Sequence, residues 1–143
     1  MKKAIAGTFE RTFAPGAFIC MKGEPVDYWM GIIDGLGKMA SHWTTGKTTS
    51  LTGISTGGWF GEGSLLKEEP RRYDVMAIRE TRVAFMSRSI FLWLLDHSIP
   101  FNRHMISQLN ERLGLFVGML ENERMLDTDA RIARGLAALF NPV

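Results

Sequence analysis

The residues best able to do chemistry in this sequence are gathered in one stretch, Gly58-Trp59-Phe60-Gly61-Glu62-Gly63-Ser64-Leu65-Leu66, followed by Pro70-Arg71. Closely spaced glycines leading into a short helical turn expose backbone N–H groups that can nest around an anion. A carboxylate beside such a nest accepts hydrogen bonds from hydroxyls, and an arginine arriving from the following strand can fork onto phosphate oxygens. An anion with a hydroxyl next to it is what a ribose phosphate presents. By spacing alone the same stretch also reads as a tight turn carrying a surface Glu–Arg ion pair, and both readings stand at this point.

Other chemistries find less support. The three histidines, His42, His97 and His104, are scattered, with no His-x-His and no paired carboxylates at metal-ligand spacing. Ser64 and Ser87 have no histidine near them in sequence to act as a base. The single cysteine, Cys20, excludes an intrachain disulfide, a Cys-rich zinc site and a cysteine-ligated iron–sulfur cluster. It stands in an apolar run and reads as a packing residue. The expectation is no enzyme and no metal, with no cofactor certain.

The elements that must hold the glycine-rich stretch change character near residue 88. Before it, short apolar or alternating runs (residues 17–21, 28–33, 47–54, 75–78 and 82–86) are separated by turn signals at Pro15-Gly16, Gly23-Glu24-Pro25, Asp34-Gly35, Thr45-Gly46 and Gly57-Gly58. Strand-length runs at short intervals predict an antiparallel sandwich or barrel, with hairpins at Gly35 and Gly46. After it, Ser89 is placed to cap a helix bearing Phe91, Leu92, Leu94 and Leu95, closed by Ser98 and Pro100. Residues 100–125 then show a 3–4 apolar spacing through Met105/Ile106, Leu109, Leu113, Phe116 and Leu120, with Leu115 and Met119 as a second stripe. A long helix with two apolar faces needs a second partner, and a parallel helix from an identical subunit is the economical one. Asp127 is expected to break the pattern, with a last helix over residues 129–140.

Length and composition set the frame. The chain has 143 residues, 45% hydrophobic and 22% charged, enough for one core-bearing domain and outside the composition of disordered chains. Seventeen Lys+Arg against 15 Asp+Glu leave only +2, which does not by itself imply DNA, RNA or a membrane. No apolar run approaches the ~20 residues of a membrane span. Glu10 and Arg11 interrupt the start before a signal-length run develops, so the cytoplasm is the expected compartment.

With these pieces in place the sequence resembles a known family. Gly61-Glu62, then eight residues, then Arg71 preceded by Pro70, is similar to the phosphate-binding cassette of cyclic-nucleotide-binding domains. The Gly23-Glu24 turn, the apolar run ending at Gly35, and Lys38 resemble the earlier strands of that β-roll. Glu111-Arg112-Leu113, Leu126-Asp127 and Arg131-Ile132-Ala133 resemble the dimerisation helix, hinge and first post-hinge helix of Crp/Fnr bacterial transcription regulators. The resemblance implies a mainly β fold with a C-terminal α segment: a double-stranded β-helix or jelly roll followed by a long dimerisation helix. It implies a β-roll effector domain over residues 1–99, a dimerisation helix over 100–126, and the hinge and first helix of a DNA-binding domain over 127–143.

The family's roles fall on Gly61 and the amides of Gly63 and Ser64 for the phosphate, Glu62 for the ribose hydroxyl, and Arg71 for phosphate charge. Arg72 and Tyr73 stand where the family places small or hydroxyl residues. Phe116 and Val117 occupy the helix positions that read adenine in cAMP-sensing members, and neither can form side-chain hydrogen bonds. The expected effector pocket is therefore Gly61, Glu62, Gly63, Ser64, Arg71, Arg72, Tyr73, Phe116 and Val117, taking a cyclic nucleotide or another small molecule. The expected partners are a second copy through residues 105–125, DNA through a helix-turn-helix beyond Val143, and RNA polymerase as a further candidate, with no membrane. The alternative is a cyclic-nucleotide or small-molecule receptor module that does not bind DNA.

Overall fold

The computed structural model describes the backbone of residues 7–42 and 48–140 and the side chains of residues 7–41 and 52–122. Two compact units divide between His97 and Ser98.

The first unit holds β1 (Thr8–Phe13), β2 (Phe18–Cys20), β3 (Tyr28–Asp34), β4 (Leu36–His42), β5 (Thr48–Ser55), β6 (Trp59–Phe60), the short helix α1 (Glu62–Lys67), β7 (Asp74–Ala77), β8 (Thr81–Ser87) and α2 (Arg88–His97). The strands form two four-stranded sheets, ordered β1-β8-β3-β6 and β2-β7-β4-β5, and every pairing is antiparallel. This is the expected jelly roll. Between the sheets lie Ile19, Cys20, Met30, Ile32, Ile54, Phe60, Val75, Ala77, Val83 and Phe85, all buried.

β3 explains how the roll is closed on both sides. Alternation sends Met30 and Ile32 into the core, and Trp29 and Gly31 to the opposite face. That outer face is buried too: Trp59 stacks on Trp29 at 4.1 Å, and Phe91 of α2 lies 5.1 Å from the same ring. Gly31 is required here, because a Cβ would enter the Trp59 indole. The apolar run 28–33 is thus continuous because both faces of β3 are covered.

Gly35 does not close a hairpin. β3 and β4 belong to different sheets, and Gly35 is the corner at which the chain crosses between them. Its φ of 135° lies outside the range of L side chains, and the space a side chain would need is filled by Thr81. The buried Thr81 hydroxyl fixes the crossing, donating toward the Arg79 carbonyl at 2.8 Å and accepting from the Leu36 amide at 3.2 Å. β4 and β5 do pair as consecutive strands, from Leu36↔Ser55 to His42↔Thr48. The Gly46 turn expected between them lies outside the described residues.

The second unit is α3 (Ile99–Phe140), 42 residues in one run. Ser98 caps it: its hydroxyl accepts from the Phe101 amide at 3.2 Å, three residues on. The helix is not interrupted at Asp127, where a break was expected, and residues 129–140 continue it. Asp127 and Thr128 are only moderate helix formers, each costing under about 0.7 kcal/mol relative to alanine, and no glycine or proline stands beside them. Such a deficit does not stop a helix already propagating. Among the described residues no helix is long and apolar enough to cross a membrane.

Candidate functional site

The glycine-rich stretch folds as a strand-to-helix turn. β6 ends at Phe60, which is fully buried, and Gly61 reverses the backbone with φ 91° and ψ 4° before α1 begins. A left-handed turn of this kind suits glycine alone among the common residues. The first hydrogen bond of α1 runs from the Leu65 amide to the Gly61 carbonyl at 3.1 Å. The amides of Gly63 and Ser64 therefore precede the helical ladder, at the end of α1 that faces an anion best. Leu65, wholly buried, roots α1 in the fold, and Gly63 faces open space.

Glu62 and Arg71 are not a surface ion pair. Their exposures are 7% and 6%, and among the described residues no carboxylate lies within ion-pairing distance of Arg71. The Arg71 guanidinium is held by its Nη2, which donates to the Tyr28 carbonyl at 3.2 Å. Its Nη1 lies against Gly61, only 2.8 Å from where a Cβ would stand. Gly61 is thus needed twice, for its backbone angle and for the approach of the arginine.

The Arg71 backbone is fixed by a turn far away in sequence. The Gly23 amide donates to the Arg71 carbonyl at 2.8 Å, and the Arg71 amide donates to the Glu24 carbonyl at 2.9 Å. In the sequence Gly23-Glu24 reads as a turn signal and as part of the resemblance to the β-roll. Its role as the clamp of Arg71, and that of Tyr28 as the guanidinium's acceptor, depend on contacts across more than forty residues that local spacing does not reveal.

The two bulky residues after Arg71 diverge. Arg72 points outward, its guanidinium paired with Glu69 at 2.8 Å and its side chain 67% exposed. Tyr73 turns inward, half-buried against the core. Gly61, Glu62, Gly63, Ser64, Arg72 and Tyr73 surround one cleft of about 250 Å³, joined by Lys67 and Glu69 at its edge. Arg71 lines a neighbouring cleft instead. Phe116 and Val117 lie on α3 in the second unit, 40% and 47% exposed.

Cys20 is 3% exposed. Burial pushes its thiol from 9.0 up to about 11, against the pull of the Arg71 charge. A raised thiol pKa means a neutral, unreactive sulfur at neutral pH. At pH 8 the thiolate population falls by about a hundredfold relative to an unperturbed cysteine. Alkylation by iodoacetamide at pH 8 is accordingly expected to be slowed by at least that factor in the folded chain, and to become rapid in denaturant. Fast labelling of the folded protein, followed by mass spectrometry, would contradict this burial.

The geometry agrees with the comparisons. The family model for the cyclic nucleotide-binding domain matches residues 10–98. No curated protein shows a significant sequence match. Among solved structures, a transcriptional regulator from Thermotoga maritima is similar with a TM-score of 0.71 at 19% identity, over 83% of this chain and 93% of that one. The catabolite activator protein of Thermus thermophilus is similar with a TM-score of 0.69 at 22% identity, over 78% of this chain. The sensor domain of the transcriptional regulator DNR from Pseudomonas aeruginosa gives 0.69 at 18% identity, over 78% of this chain and 75% of that one. At these identities the likeness concerns the fold, and the match covers only 53% of the Thermus protein. The roll, the strand-to-helix turn at Gly61 and the family match over residues 10–98 lead to one assignment: the chain belongs to the cyclic nucleotide-binding domain family.

Proposed function

We propose that this chain is the effector-binding and dimerisation part of a Crp/Fnr-type transcription regulator. The β-roll takes a small anionic effector, α3 pairs with α3 of a second copy, and the pair governs a DNA-binding region outside these residues, to which residues 127–143 lead. An effector shifts such a dimer only by binding one arrangement more tightly than the other.

The observation that carries this reading is Arg71. A guanidinium 6% exposed, donating to one backbone carbonyl and with no carboxylate within ion-pairing distance among the described residues, is a buried cation suited to receive an anion. It adjoins the left-handed Gly61, whose following amides open on the cassette cleft. Glu62 is the acceptor for a ligand hydroxyl, and Arg72, paired with Glu69, forms part of the wall of that cleft. A charge-assisted bond from Arg71 supports about 1.5–3 kcal/mol of affinity, so Arg71→Ala is expected to weaken an anionic effector roughly 10- to 150-fold. Titration calorimetry with cyclic AMP and cyclic GMP on the unmodified chain and on Arg71→Ala checks this. Equal affinities for the two proteins would remove Arg71 from the site.

A further inference from the structure

The cleft that Arg71 lines is not the cassette cleft, and its walls are of a different kind. It occupies about 330 Å³ between the two sheets, with β1, β3 and β8 on one side and β2 on the other. Phe9 and Phe85 lie parallel within it, centroids 5.0 Å apart and planes 2° apart. Tyr28 meets both edge-on, at 5.2 and 5.8 Å. The Arg11 guanidinium stands over these rings, 5.6 Å from the Phe85 centroid and 6.0 Å from that of Phe9. Phe9 is 41% exposed, on an edge strand whose residues Phe9–Thr12 all face solvent.

The cleft is therefore aromatic along β1, β3 and β8, and buried Arg71, whose Nη2 donates to the Tyr28 carbonyl, is among its lining residues. Glu62, the hydroxyl acceptor of the cassette, opens on the neighbouring cleft and not on this one. An occupant here consequently finds a ring wall and Arg71, with the carboxylates of Glu24 and Asp27 at the rim in place of the buried Glu62. Glu24 and Asp27 stand exposed at the rim and offset the charges of Arg11 and Arg71, which favours a single negative charge over a polyphosphate. The volume is at the small end of the range for small-molecule sites, about 300–1,000 Å³.

We propose that this second cleft binds a small aromatic carboxylic acid, its ring against Phe9 and Tyr28 and its carboxylate on Arg71, with Arg11 closing over the ring. This deepens the effector reading and rests on it, because the same Arg71 receives the anion. An aryl group on an aromatic wall gains about 0.5–1.5 kcal/mol beyond its area, which a saturated ring of the same size forgoes.

The test uses calorimetry and NMR titration of the 143-residue chain with benzoate, phenylacetate, cyclohexanecarboxylate, benzyl alcohol and cyclic AMP. Binding of benzoate or phenylacetate is expected, with resonance shifts at Phe9, Tyr28 and Arg71. Cyclohexanecarboxylate should bind roughly 3- to 10-fold more weakly, and benzyl alcohol, lacking the charge, should not bind. Phe9→Ala should weaken the aromatic acids by a similar factor; the variant also loses ring contacts with Phe85 and Tyr28, so its binding is measured well below its own melting temperature. Arg71→Gln should abolish their binding.

No shift with either aromatic acid up to about 10 mM would overturn the proposal. So would equal affinity for the saturated acid, or an affinity indifferent to Phe9→Ala. Cyclic AMP binding that is lost in Arg71→Gln, untouched by Phe9→Ala and unopposed by the aromatic acids would retire this cleft while leaving the effector-domain reading intact. Failure of every anion to bind would retire both.

Discussion

Phe60→Ala should cost about 3–5 kcal/mol of folding stability, the range for removing a fully buried aromatic ring. Phe60 is 0% exposed and belongs to the core between the sheets. It sits on a two-residue strand paired with β3 at Met30↔Phe60 and Gly31↔Trp59, and Gly57 and Gly58 just before it bond to the Ile32 backbone. So short a strand is held by few hydrogen bonds of its own, and its position depends also on the packing of Phe60 inside and Trp59 outside. The next residue is Gly61, so the same ring fixes where the cassette turn begins. Domains of this size have total stabilities of about 5–15 kcal/mol, which makes the loss a large share of the whole. Urea denaturation followed by tryptophan fluorescence is expected to show a much lower midpoint with an unchanged slope. A shift below about 1 kcal/mol would mean that the roll does not close around this ring.

The second large effect concerns α3. Ile106, Leu109, Leu113, Phe116 and Leu120 recur at alternating intervals of three and four, the spacing of a coiled-coil seam. All five are between 40% and 67% exposed in the single chain. At 1.5 Å per residue the 42-residue helix extends about 63 Å, ample for several heptads. Phe116→Glu or Leu120→Glu places a carboxylate on the seam, and in a parallel pair each meets its own copy across the two-fold axis. Two like charges a few ångströms apart in a dehydrated seam repel strongly. Light scattering is expected to give a dimer for the unmodified chain and a monomer for either variant. A monomeric unmodified chain would contradict the pairing.

How much of this was legible in the sequence depends on how local each signal is. The turn at Gly61, the cassette spacing to Arg71 and the apolar stripe of α3 are short-range patterns, and they read directly. The strands β2, β3, β7 and β8 were visible as apolar runs because residues of each face the core. β1 was not: TFERTF is an edge strand with its middle residues exposed, so no apolar alternation marks it. Asp34-Gly35 looked like a hairpin because a glycine turn between two strands has the same local signature whether the strands pair or part. Only the buried Thr81, 46 residues beyond Gly35, makes it a crossing between sheets. The site shows the same limit. Spacing placed Arg71 near Gly61, but its clamp by Gly23 and Glu24, and the separation of its cleft from that of Glu62, come from the closure of the roll.

The most direct test of an effector domain built on Arg71 is an amide NMR titration of this chain with cyclic AMP, cyclic GMP, benzoate and inorganic phosphate. The expected result is saturable shifts from at least one of these anions, concentrated at Gly61 or Arg71 and at the cleft it occupies, and absent in Arg71→Ala. Spectra unchanged at Gly61–Ser64, Tyr28 and Arg71 for all four anions would contradict it.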